Sequence, residues 1–175
     1  MLLNLSDVLS DRHQPINETV QLDMDSVQMR AGTYPIIRKD PVEIHVSHVK
    51  NRELKIQARS KICVLIPCDR CLEDVEQELI LDADKHVDLS KSDAELDEGF
   101  DESNYIDGYY LDVDKMLYNE ILIGWPMKVL CSEDCKGICN VCGQNLNKGT
   151  CDCEDTSLDP RMSVVRDLFK NFKEV

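Results

Sequence analysis

Val42-Glu43-Ile44-His45-Val46-Ser47 and Leu54-Lys55-Ile56-Gln57-Ala58-Arg59 place an apolar residue at every second position, with a polar Lys50-Asn51-Arg52 turn between them. A period of two puts Val42, Ile44, Val46, Leu54, Ile56 and Ala58 on one face of a pleated ribbon and their polar neighbours on the other. The pattern predicts an antiparallel hairpin with one buried and one wet face. The apolar run Ile62-Cys63-Val64-Leu65-Ile66 extends its second strand, and a further strand is expected from residue 75 to about 87. These strands make a small antiparallel sheet.

Upstream, residues 1 to about 32 are weakly patterned. A short helix or strand is expected near 5–9, followed by irregular chain. Downstream, composition changes at Ser90. Asp93, Glu95, Asp97, Glu98, Asp101, Glu102 and Asp107 crowd a stretch with few core-forming residues, which predicts an acidic flexible linker over 91–110. A helix follows, with Asp112 as its cap, Val113, Met116, Leu117 and Ile121 at helical spacing, and Gly124 and Pro126 at its end. A last helix opens at Asp159-Pro160, with Met162, Val165, Phe169 and Phe172 as its apolar stripe.

Between the two helices lies a run of cysteines. The chain carries Cys68-Asp69-Arg70-Cys71 and Cys139-Asn140-Val141-Cys142-Gly143, with Cys131, Cys135, Cys151 and Cys153 around the second pair. Two thiolates separated by two residues can reach one ion across a tight turn, and a glycine after the second helps the backbone turn with positive φ. Eight cysteines divide into two four-ligand zinc sites. The preferred partition is Cys68, Cys71, Cys131 and Cys135 for one, and Cys139, Cys142, Cys151 and Cys153 for the other. A rival partition pairs Cys68 and Cys71 with Cys139 and Cys142, as in a long zinc ribbon, so one or two Zn²⁺ ions remain open. Cys63 reads as a small buried residue of a strand. None of the four histidines, His13, His45, His48 and His86, stands at a cysteine cluster, and all read as surface residues.

The expected fold class is therefore α+β: a small antiparallel β-sheet with a few helices and a C-terminal cysteine-rich zinc module. The expected organisation is an N-terminal region over 1–90 carrying the sheet and the first CxxC, the linker over 91–110, and a region over 111–175. The last of these holds a helix, the cysteine-rich module and the C-terminal helix.

Composition bounds the function. Only 5% of the 175 residues are aromatic, so the interior is short of large rings and metal coordination can supply what is missing. A net charge of −14 repels phosphate backbones, and two four-thiolate zinc sites would deepen it to about −18. Any contact with RNA then needs a local basic patch or a protein intermediary. No basic and apolar leader opens the chain, and no window reaches the ~18–20 apolar residues of a membrane span. A reducing cytoplasm is the expected location, where clustered cysteines bind metal rather than pair as disulfides.

Pro67-Cys68-Asp69-Arg70-Cys71 matches the P-C-x-x-C half of a zinc deaminase signature. The H-x-E half that supplies the proton shuttle is missing, and four cysteines leave no open position for water. The chain is therefore expected to be no enzyme.

Several landmarks in order resemble the YceD-type large-subunit ribosomal RNA accumulation proteins. They are the alternation over 42–58, Pro67-Cys68-Asp69-Arg70-Cys71-Leu72-Glu73, the acidic stretch, Ile121-Leu122-Ile123-Gly124-Trp125-Pro126-Met127 and Cys131-Ser132-Glu133-Asp134-Cys135-Lys136-Gly137. They continue with Cys139-Asn140-Val141-Cys142-Gly143-Gln144-Asn145-Leu146-Asn147, Cys151-Asp152-Cys153 and Asp159-Pro160-Arg161. The resemblance implies a bacterial cytoplasmic factor for accumulation of large-subunit (23S) ribosomal RNA, without assigned enzymatic activity. Shorter relatives keep the first CxxC and the equivalents of Cys131 and Cys135 but lack those of Cys139 to Cys153, which favours the first partition. Asn140, where proline is usual, and Gly124-Trp125 depart from the family pattern.

The expected partner is large-subunit rRNA or a large-subunit ribosomal protein, with no membrane and no small-molecule substrate. The basic residues available for it are Arg166, Lys170 and Lys173 on one side of the last helix, with Arg161 and Lys148 nearby; a solvated helix face is the plainer account of them. The alternative function is a zinc-thiolate redox sensor or chaperone-like adaptor.

Overall fold

A computed structural model describes residues 1–10, 12–50, 53–89 and 105–153. The expected last helix, with Arg161, Arg166, Lys170 and Lys173, lies outside the described residues, as does the acidic run over 90–104. The chain groups into two compact units. One joins Met1–Ile66 to Glu76–Met127; the other joins Pro67–Val75 to the chain from Lys128 onward. This division differs from the expected one. The loop carrying the first CxxC groups with the later cysteines, and the helix after the acidic run groups with the sheet.

The first unit is built on the alternation quoted above. Strands β1 (Leu2–Asn4), helix α1 (Ser6–Leu9), β2 (Ile16–Val20), β3 (Ser26–Met29), β4 (Gly32–Lys39), β5 (Val42–Lys50) and β6 (Glu53–Pro67) come in order. They are followed by β7 (Asp74–Asp88), β8 (Ile106–Asp107), β9 (Tyr110–Asp112) and helix α2 (Val113–Ile123). The hairpin pairs Ile44 with Ala58 and Val46 with Ile56, and all four side chains are buried. The long strand β6 is the common member of a six-stranded sheet. It pairs with β5 through its first half, with β4 around Ile62, Cys63 and Val64, and with β7. The wet face is laced by ion pairs between β6 and β7: Lys55 with Asp84 at 3.2 Å, Arg59 with Asp82 at 3.1 Å and Lys61 with Glu78 at 3.5 Å. Exposed pairs of this kind contribute about 0–1 kcal/mol each, so burial of the opposite face carries the fold.

Residues 10–32, expected to be irregular, contain β2, β3 and the start of β4. The edge strand β2 buries only Val20 and is held by antiparallel pairing with β5 from Ile16 to Val20. An edge strand needs backbone hydrogen bonds more than an apolar face, so it leaves no alternation in the sequence. The expected linker is also cut short at its C-terminal end. Tyr105 is buried, and Ile106–Asp107 joins a second, three-stranded sheet of order β1-β9-β8.

Helix α2 follows its sequence signals. The Asp112 carboxylate accepts from the Lys115 backbone N–H at 3.2 Å, Val113, Met116, Leu117 and Ile121 are buried, and Gly124 ends the helix with its N–H on Glu120. Trp125 just beyond packs on Tyr34, with ring centroids 5.0 Å apart.

Candidate metal centres

The second unit gathers the cysteines. In the loop between β6 and β7, the Cys68 N–H donates to the Glu73 carbonyl at 2.7 Å and the Leu72 N–H to the Cys68 carbonyl at 2.9 Å. This tight turn brings Cys68 and Cys71 together, and the Arg70 N–H points at the Cys68 sulfur from 3.5 Å. The later chain is clamped to it. Asp69 donates its N–H to the Val129 carbonyl at 2.9 Å and accepts the Val129 N–H on its carboxylate at 2.7 Å. The Arg70 guanidinium donates to the carbonyls of Cys135 at 2.9 Å and Glu133 at 3.4 Å. Gly137 takes φ +79°, and a Cβ there would sit 3.1 Å from the Arg70 carbonyl oxygen, so glycine is what permits this approach.

These contacts bring four sulfurs to one point. Cys68 and Cys135 stand 3.8 Å apart, Cys71 and Cys131 stand 3.5 Å apart, and all four sulfurs lie within 4.8 Å of one another. A tetrahedron of metal–sulfur bonds of about 2.3 Å has edges of about 3.8 Å. Cys68, Cys71 and Cys135 are buried, with Val75, Leu130 and Ile138 packed against them, so this quartet is the core of its unit.

The second quartet repeats the construction. The Cys139 N–H donates to the Gln144 carbonyl at 2.8 Å, the Gly143 N–H to the Cys139 carbonyl at 2.9 Å, and the Val141 N–H points at the Cys139 sulfur from 3.4 Å. Cys151 and Cys153 complete a group whose sulfurs again lie within 4.8 Å of one another. This site is more open: Cys142 is exposed and the other three are half-buried.

The electrostatics of both quartets call for a cation. Burial opposes ionisation of Cys68, but backbone N–H groups of Cys71, Arg70 and Cys131 outweigh it and bring the thiol down to about 6. At Cys139 the N–H of Cys142, then that of Val141, brings it down to about 6. The Asn147 amide lowers Cys135. The partner thiols then hold their protons: Cys71, then Cys135, drives Cys131 up to about 12, and Cys142, then burial, drives Cys153 up to about 12. Four thiolates at this spacing coexist only around a positive ion. The soft, all-sulfur donor set and its tetrahedral spacing fit a closed metal site without an open coordination position.

The eight proposed ligands therefore fall into the preferred partition. The rival grouping of Cys68 and Cys71 with Cys139 and Cys142 is not formed. Cys63 is buried in β6 with the Arg38 guanidinium 3.6 Å from its sulfur, and no histidine enters either quartet. Lys148 forms an ion pair with Glu73; the last helix, with whose basic residues the sequence groups it, lies outside the described residues. Four residues that position the ligands went unread in the sequence. Asp69, Arg70 and Gly137 act through long-range backbone contacts. Asn147 donates its amide to the Cys135 sulfur at 3.2 Å and accepts the Lys136 N–H at 2.8 Å. The motif run Gln144-Asn145-Leu146-Asn147 was the available signal for the last of them.

A family model described as large ribosomal RNA subunit accumulation protein YceD matches residues 56–169, more than half of the chain, and both cysteine quartets fall inside the match. No curated protein and no solved structure matches the chain.

Proposed function

The chain belongs to the YceD family of large ribosomal RNA subunit accumulation proteins, and on that premise we propose that it is a non-enzymatic, zinc-binding factor of ribosome biogenesis. It promotes accumulation of 23S ribosomal RNA in the bacterial cytoplasm by holding rRNA or a large-subunit ribosomal protein. The observation that carries the zinc reading is the pair of closed four-sulfur groups within the matched region. Zinc would join the first CxxC turn to the sequence-distant Cys131 and Cys135 at one group, close a local loop at the other, and leave no site for water at either, so its contribution is folding energy and not chemistry. Among the described residues no helix is long and apolar enough to cross a membrane.

The test is depletion of the protein followed by profiling of ribosomal subunits. A selective deficit of large subunits and of 23S rRNA, restored by the wild-type chain and not by a chain lacking the first quartet, supports the proposal. A normal profile contradicts it. A second reading, the zinc-thiolate redox sensor, is favoured by the exposure of Cys142 in the second quartet. It requires zinc to leave at low oxidant, before the protein unfolds.

A further inference from the structure

The two CxxC turns are copies of one another, bond for bond, with one difference. In each, the first cysteine's N–H reaches the carbonyl five residues on, its carbonyl takes the N–H four residues on, and its sulfur faces the N–H two residues on. The residue after the second cysteine has positive φ in both. It is Gly143 at +74° in one turn and Leu72 at +63° in the other. A left-handed conformation is easy for glycine and strained for leucine. The backbone therefore does not need leucine here; Gly143 shows that the turn closes without a side chain. Nor does packing within the unit account for it, since Leu72 is 65% exposed. A strained, outward-facing apolar residue on a rigid turn is the pattern of a contact held ready for something else.

We propose that Leu72 is an apolar anchor, presented by the first cysteine turn, that enters a socket on a basic protein. Charge selects that partner. Around Leu72 the turn carries Asp69, Glu73 and Asp74; Glu73 is paired with Lys148, and Arg70 turns its guanidinium back onto the carbonyls of Glu133 and Cys135. Asp69, Asp74, Glu133 and Asp134 are exposed, and the whole chain carries −14. An acidic rim around one apolar knob complements a lysine- and arginine-rich protein surface and repels a phosphate backbone. The anchor is pre-organised, because the clamp of Asp69 on Val129 and the four-sulfur group hold the turn on both sides.

The proposal deepens the ribosome-biogenesis reading, which supplies the probes: proteins stripped from large ribosomal subunits and separated singly, and protein-free 23S rRNA. The full-length, zinc-loaded chain is compared with Leu72→Gly and with Leu72→Met. Leu72→Gly should melt at the same or a higher temperature, since it relieves the left-handed strain, yet bind a basic subunit protein about tenfold or more weakly. Leu72→Met, which keeps an apolar side chain, should bind as wild type does. Equal binding by Leu72→Gly overturns the anchor and leaves the biogenesis reading to the depletion experiment. Binding to rRNA alone, or to none of the probes, overturns the protein partner. A lower melting temperature for Leu72→Gly also overturns the proposal, because Leu72 would then serve the chain's own packing.

Discussion

The side-chain amide of Asn147 donates to the sulfur of Cys135 at 3.2 Å, so a residue in the loop between the ligands of the second quartet supports a ligand of the first. The same side chain accepts the Lys136 N–H, and the two bonds fix the amide's orientation. Outer partners of this kind tune metal affinity by stabilising the ionised ligand. Replacement of Asn147 by alanine should weaken zinc at the first quartet by about 10–100-fold in a chelator competition, with the second quartet less affected. Equal retention at the first quartet would remove Asn147 from the site.

Zinc binding should release protons and tighten as pH rises. Ligands bind as thiolates, and in the metal-free protein Cys131 and Cys153 hold their protons with values of about 12. Cys71 and Cys151 are held above the ordinary thiol range as well, so loading at neutral pH should expel about four protons per chain or more, roughly two from each quartet. As pH falls through about 6, Cys68 and Cys139 take up protons as well, and affinity should drop more steeply. Calorimetric titration in buffers of different ionisation enthalpy counts the protons directly.

The two quartets should fail differently. Cys71 lies in the buried cluster that forms the core of the second unit, whereas Cys142 is exposed. Cys71→Ser should cost about one zinc equivalent and disrupt the second unit, because coordination energy there is folding energy. Cys142→Ser should cost about one equivalent while the first quartet stays loaded. Metal analysis with proteolysis of the second unit separates these outcomes.

Accessibility also orders oxidation. Peroxide should release zinc from the second quartet before the first, since three of the first quartet's four sulfurs are buried. Mass mapping of the first disulfide to form should find it among Cys139, Cys142, Cys151 and Cys153.

In the sheet unit, Asp112→Ala removes the cap on the Lys115 N–H and should lower stability by about 1 kcal/mol in denaturant unfolding. The metal content should not change, because no zinc ligand lies in that helix.

Elements with a buried face were plain in the sequence, and those held by backbone pairing were not. Val42, Ile44 and Val46 alternate because one face of β5 is wet, and Met116, Leu117 and Ile121 recur because one face of α2 is buried. The edge strand Ile16–Val20 carries no such pattern. The cysteine quartets were legible for a similar reason: thiols at fixed spacing in a chain read as cytoplasmic have few other uses. The partition, favoured in the sequence through the family resemblance, rests physically on the contacts of Asp69 with Val129 and of Arg70 with Cys135. Those contacts join residues about sixty positions apart, and no local period encodes them.

A native mass spectrum of the full-length chain, purified under reducing conditions, bears most directly on all of this. Sulfur groups that close around metal at both sites predict one dominant species carrying two zinc ions, with the mass deficit of the displaced thiol protons. A metal-free species that keeps the same compact charge-state distribution would contradict it.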